Sequence, residues 1–123
     1  MRKKLTTLSV LTIAVSLFAA SFALADYGSD KDSKLFGYVK EYKTLKPLQG
    51  ARVKLYKKSG TLEDKDKTNK KGKYSFPDLK SGTYKVKAKF DGYRNPKDVQ
   101  KDTVSKTVKV KGSDKKNLYM VKI

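Results

Sequence analysis

The segment Gly82-Thr83-Tyr84-Lys85-Val86-Lys87-Ala88-Lys89-Phe90 decides the fold class. Apolar and basic residues alternate through it without a break. Tyr84, Val86, Ala88 and Phe90 fall on one side, and Lys85, Lys87 and Lys89 on the other. A period of two is the mark of a β-strand with one face buried and one in water. A helix would scatter the same lysines around its circumference. Gly82 opens the strand and Asp91-Gly92 closes it.

The same period recurs on both sides. Upstream, Ala51, Val53 and Leu55 alternate with Arg52, Lys54 and Tyr56, and Leu35, Gly37 and Val39 alternate with Phe36, Tyr38 and Lys40. Pro47 and Gly50 mark the turn between these two strands. Residues 57–71 read as a long polar loop or a weak strand, with Lys65, Lys67 and Lys70 as loop lysines, and Gly72 punctuates the stretch. Residues 73–76 are short and aromatic, and Pro77 is expected to stop them. Downstream, Asn95-Pro96 marks a loop. Residues 103–111 supply a strand with Val104, Val108 and Val110, 112–115 form a turn, and 118–123 form a last apolar strand. About seven short strands between Gly, Pro and Asp/Asn turns imply an all-β sandwich.

The first 25 residues stand apart from this pattern. Arg2, Lys3 and Lys4 precede an apolar run over 8–20 that only small hydroxyl residues interrupt, and Ala23-Leu24-Ala25 supplies small residues at a cleavage position. This is the pattern of a secretory signal peptide cut after Ala25. A retained membrane anchor is the alternative. No cysteine follows the run, which excludes a lipoprotein anchor. Residues 26–33 are polar and aperiodic and read as a disordered arm. The domain proper is expected over 34–123, in a chain exported from a bacterium.

Beyond the signal segment the chain carries 27 bases and 12 acids. Only Arg52 and Arg94 of these bases are arginine. Specific nucleic-acid readers lean on the planar guanidinium, whereas lysine is a hydrated point charge suited to salt-sensitive attraction. The charge therefore points to an anionic cell-wall polymer or another polyanion met outside the cell, such as lipid headgroups or extracellular DNA, and not to specific nucleic-acid recognition. Its plainer reading is solubility and protection of sheet edges. The whole chain lacks histidine and cysteine. That removes Ser-His-Asp triads, Cys-His pairs, disulfides and the usual zinc sites. No enzyme, metal or cofactor is implied.

Several motifs carry a family resemblance. Gly37-Tyr38-Val39, then Pro47-Leu48-Gln49-Gly50-Ala51-Arg52-Val53-Lys54-Leu55, resembles the opening of a carboxypeptidase regulatory-like domain. Thr68-Asn69-Lys70-Lys71-Gly72-Lys73-Tyr74-Ser75-Phe76 is similar to its central hairpin. Leu79, Gly82-Thr83-Tyr84 and Gly92-Tyr93 follow at the family's spacing. Asn69 stands where the family usually has aspartate, and either residue can cap a turn. The resemblance implies a seven-stranded transthyretin-like or immunoglobulin-like β-sandwich. In that fold strands 51–56 and 84–90 share a sheet, so Arg52, Lys54, Lys85, Lys87 and Lys89 would share its outer face with no acid among them.

The fold also resembles, more distantly, the B-type repeats of Gram-positive adhesins, which join a first-strand lysine to a last-strand asparagine. Lys40 and Asn117 could stand at those positions. The catalytic acid of that reaction would fall at Ala88, so no such bond is expected. Glu63, Asp64 and Asp66 could suggest calcium. However, Asn69 and Ser75 stand where an EF-hand register needs glycine and glutamate, and Lys65 and Lys67 oppose a cation. Tyr38, Tyr42, Tyr56 and Tyr93 are candidates for an aromatic sugar platform; cross-strand packing is the plainer reading. The expected function is a secreted, non-enzymatic binding or accessory module attracted to anionic polymer through a lysine-rich face. The alternative is a structural or adhesive sandwich that binds a glycan or protein through tyrosines or strand edges.

Overall fold

Alternation becomes strand pairing along most of the domain. The computed structural model describes residues 31–123. The expected signal segment and most of the expected polar arm lie outside the described residues. The strands are β1 (Ser33–Glu41), β2 (Arg52–Lys57), β3 (Leu62–Lys67), β4 (Lys73–Leu79), β5 (Gly82–Lys89), β6 (Tyr93–Arg94), β7 (Thr103–Val110), β8 (Ser113–Lys115) and β9 (Leu118–Lys122). One sheet runs β4-β1-β9-β6, with β8 also paired to β1; the other runs β3-β2-β5-β7. The second sheet is antiparallel throughout. In the first, β1 runs antiparallel to β4 and parallel to β8 and β9.

The buried half of each alternation meets between the sheets. Leu35, Val39, Tyr74, Phe76, Leu118 and Met120 come from the first sheet. Val53, Leu55, Val86, Ala88, Val108 and Val110 come from the second. At about 25 cal/mol per Å² of apolar surface, this burial is the main force that holds a domain without disulfides.

Two contacts close the core at points no apolar residue reaches. Gly37 occupies an inward position of β1, where a Cβ would lie 1.9 Å from the Lys116 carbonyl oxygen. The buried Tyr74 hydroxyl donates to that same carbonyl, and burial pushes its pKa well above the ordinary tyrosine value. At the other end of the hairpin, Thr68 is buried. Its hydroxyl donates to the Leu48 carbonyl at 2.6 Å and accepts from the Ala51 N–H at 2.8 Å. Next to it, Asn69 caps the turn as expected: its Oδ1 accepts from Lys71 N and Lys73 N at 2.9 and 3.0 Å. Gly72 adopts φ 76° there, and a Cβ would crowd the Val39 carbonyl.

Three expectations need correction, and one alternative is decided. Pro77 does not stop its strand. β4 is a sheet edge, so a missing N–H can face outward. The strand absorbs the proline in a register shift beside Asp78, whose φ is 57°. Ser33 is not part of a loose arm. It is buried in β1, with its hydroxyl 3.1 Å from that of Ser81. Residues 112–115 contain β8, which lies parallel to β1 instead of only turning. Finally, of the two readings of 57–71, a polar loop or a weak strand, the strand holds over 62–67, although it lacks apolar alternation. With β6 and β8 the described residues form nine strands, two of them only two or three residues long.

Candidate functional site

Register places the expected basic residues side by side. Arg52 lies opposite Lys89, Lys54 opposite Lys87, and Tyr56 opposite Lys85. All are on the outward parity, since the intervening Val53, Leu55, Val86 and Ala88 are buried. Directly opposed residues have Cβ atoms about 4.5–5.5 Å apart. Residues two apart on one strand are about 6.7 Å apart. The five bases expected from sequence therefore do share one face.

Two more bases belong to it. Lys67 pairs with Arg52, and Lys65 with Lys54, across β2 and β3. With 57–71 open between a polar loop and a weak strand, sequence did not assign them to the face. The available signal was the alternation of Asp64 and Asp66 with Lys65 and Lys67, which has the right period but no apolar half. On the far side of β5, β7 offers Thr103, Ser105 and Thr107 to the same face. Rungs such as Lys65–Lys54–Lys87 thus run across three strands.

The face is not free of acids, contrary to expectation. Asp91 reaches Arg52 at 3.3 Å and Asp102 reaches Lys89 at 3.3 Å. Both acids come from loops flanking the strands, where side-chain parity does not constrain them. Both pairs are well exposed and are worth little. Lys54, Lys65, Lys67, Lys85 and Lys87 have no ion pair among the described residues. Lys87 Nζ stands 5.5 Å from the Tyr56 ring centroid. A shallow hollow of about 330 Å³ lies here, walled by Tyr56, Lys85, Lys87 and Thr107. A second, of about 520 Å³, lies between Arg52, Lys54, Lys65 and Lys67.

The four candidate tyrosines do not meet. Only Tyr56 stands on the basic face. Tyr38 is on the outer face of the other sheet, opposite Lys73. Tyr42 follows β1, is 56% exposed, and lines a cleft of about 290 Å³ with Tyr119, Val104 and Lys106. Tyr93 packs on Phe90, ring centroids 5.1 Å apart.

The other sequence candidates have local roles. Lys40 points outward, its Nζ 5.4 Å from the Tyr38 ring centroid. Asn117 instead accepts the Tyr38 N–H at 3.1 Å. Asp66 accepts from the backbone N–H groups of Lys67 and Ser75, both at 2.8 Å, and Asp64 accepts from that of Lys65. Glu63 pairs with Lys57 at 3.5 Å. No three potential metal ligands cluster among the described residues.

These features define a small β-sandwich domain with a strongly basic outer face on the β3-β2-β5-β7 sheet. The chain belongs to the carboxypeptidase regulatory-like domain family, whose model matches residues 34–116. No curated protein matches the sequence. Among solved structures, it resembles the pilus 2b backbone protein of group B streptococcus, with TM-score 0.57 and 18% identity over 74% of this chain and 41% of that one. It also resembles the TIE protein of Bacillus anthracis, with TM-score 0.59 and 20% identity over 91% of this chain and 20% of that one. A candidate carbohydrate-binding protein from Pseudomonas aeruginosa gives TM-score 0.52 and 16% identity over 72% of this chain and 88% of that one. At these identities the likeness is one of fold. The chain spans about two fifths of the pilus protein's length.

Proposed function

We propose that this chain is an exported, non-catalytic binding module of the bacterial cell envelope, which holds anionic polymers on the outer face of the β3-β2-β5-β7 sheet. One observation carries the reading: Arg52, Lys54, Lys65, Lys67, Lys85, Lys87 and Lys89 occupy adjoining outward rungs of three strands. Like charges opposite one another weaken a sheet, and an anionic partner removes that cost. Lysine ammonium groups on flexible stems impose no fixed docking geometry. They suit a repeating polymer that presents many equivalent anions. The kinship with a pilus protein and with a candidate carbohydrate-binding protein is compatible with work at the cell surface.

Binding driven by such contacts releases counterions and weakens linearly in log K against log salt. The test is a titration of the purified protein against fluorescent polygalacturonate, poly(glycerol phosphate) and neutral dextran across a salt series. Tight binding to the acidic polymers with a steep salt slope, and none to dextran, is expected. Equal binding to dextran, or binding indifferent to salt, would refute the proposal.

A further inference from the structure

The opposite face of the sandwich carries its own lysine array. On the outward side of the β4-β1-β9 sheet, Phe36 and Tyr38 stand two apart on β1. Each ring has two ammonium groups over it. Lys34 and Lys73 lie 6.0 and 5.1 Å from the Phe36 centroid. Lys40 and Lys115 lie 5.4 and 5.5 Å from that of Tyr38. Register sets Lys73 opposite Tyr38 and Lys115 opposite Phe36, so each of these lysines reaches diagonally to the ring one outward rung away. None of the four lysines has a carboxylate at ion-pair distance among the described residues.

The placement of the acids makes the pattern two-sided. Asp64, Asp66 and Asp114 lie opposite Leu55, Val53 and Leu35, on inward rungs. Glu63 and Asp78 sit at the register shifts of β3 and β4. Asp91, Asp98 and Asp102 are in loops. No acid among the described residues holds an outward rung of either sheet. Both broad faces are therefore basic, and they point in opposite directions because the sheets pack face to face about 10 Å apart.

From this we infer that the protein bridges two chains of an anionic sugar polymer, one on each face of the sandwich. The inference rests on the proposed function of the first face and adds a second, independent site. The rings of Phe36 and Tyr38 act there as supports. Each holds its ammonium groups by cation–π attraction against their mutual repulsion. The remaining N–H donors of each ammonium are left for carboxylate or phosphate oxygens. Two ammonium groups stand by each ring and compete for its face, so stacking of nucleic-acid bases, which needs an open ring face, is disfavoured. That selects an acidic sugar polymer over single-stranded DNA.

The experiment places biotinylated polygalacturonate on beads, adds the full exported protein, and measures capture of a second, fluorescent polygalacturonate. Capture should rise and then fall as protein is increased, because excess protein saturates each chain separately. Two triple variants separate the faces: Lys54→Gln, Lys85→Gln, Lys87→Gln for the first, and Lys40→Gln, Lys73→Gln, Lys115→Gln for the second. Each should still bind the beads through its intact face, yet lose roughly tenfold or more of the capture. Replacing the second-face lysines by arginine should preserve it. Circular dichroism confirms that each variant is folded. Wild-type protein that binds the beads without capturing soluble polymer overturns the bridging inference and leaves the first face standing. So does a second-face variant that bridges as wild type does, which would point to dimerisation. Capture of single-stranded DNA in preference to polygalacturonate overturns the sugar-polymer assignment. If the wild type does not bind the beads at all, both proposals fall.

Discussion

Replacing Lys54, Lys85 and Lys87 by glutamine removes three unpaired ammonium groups from the basic sheet face and leaves the acid-paired Arg52–Lys89 rung at its end in place. Each base that neutralises one polymer anion contributes about 0.7–0.9 to the slope of log K against log salt, so the triple variant should lose about 2–3 from that slope. A fourfold rise in salt would then cost the variant roughly 15- to 40-fold less affinity than it costs the wild type. Stability should move the other way. The removed charges adjoin one another and Arg52, Lys65 and Lys89. At about 6 Å in water each such pair repels by about 0.7 kcal/mol before screening, and by about half that at physiological salt. Relief summed over the neighbouring pairs is at most about 2 kcal/mol at physiological salt. The assays are fluorescence titrations over a salt series, and urea unfolding followed by circular dichroism. A matched variant with Lys43, Lys46 and Lys111 changed to glutamine lies outside the face and should keep the wild-type slope. Lys65 and Lys67 cannot serve as such a control, because β3 places them on the face itself. An unchanged slope in the first variant, or an equal loss in the second, would refute the reasoning.

Other outcomes follow from the core. Gly37→Ala should cost at least about 3 kcal/mol, because its Cβ would collide with the Lys116 carbonyl; a urea midpoint close to wild type would contradict this. Thr68→Val keeps the shape but strands the Leu48 carbonyl and the Ala51 N–H, for an expected loss of about 2–4 kcal/mol by the same assay. Tyr74 has a folded-state pKa above its unfolded value of about 10. The folded state therefore holds its proton longer, and this contribution is complete below about pH 10 and is lost as pH rises beyond it. Tyr74→Phe should flatten the alkaline fall in stability, measured as the urea midpoint against pH. A variant that tracks the wild type would show that Tyr74 is not the linked group.

Legibility in the sequence followed burial. Strands with an apolar half, such as β2 and β5, are written as alternation, and their register follows from which face is buried. Strand β3 is the contrary case. It is an edge strand whose inward rungs carry Asp64 and Asp66. These acids bond backbone N–H groups and crowd no core, so hydrophobic periodicity has nothing to report. Lys106 shows the same physics on the other edge: it lies opposite Val86 on an inward rung of β7, yet is exposed in the cleft beside Tyr42 and Tyr119. Inward charges of this kind protect open edges from pairing with other chains. The basic face was readable wherever its strands were readable, which is why five of its bases were foreseen and two were not. The acids of its flank could not be foreseen, because Asp91 and Asp102 act from loops whose side-chain directions no period fixes. That Tyr38, Tyr42, Tyr56 and Tyr93 are all tyrosines carries no information on whether they share a surface; sheet order separates them, and of the four Tyr42 alone is exposed.

The most direct measurement is a residue-level map of the bound polymer. A titration of isotopically labelled protein with a short oligogalacturonate, followed through backbone amide signals, reports which strands meet the anions. The largest shifts are expected over β2 and β5 and at Lys65 and Lys67, with a second set at Lys34, Phe36, Tyr38 and Lys115, and both sets should fade as salt is raised. Shifts confined to the cleft of Tyr42, Lys106 and Tyr119, with β2 and β5 silent, would contradict binding on the basic sheet face.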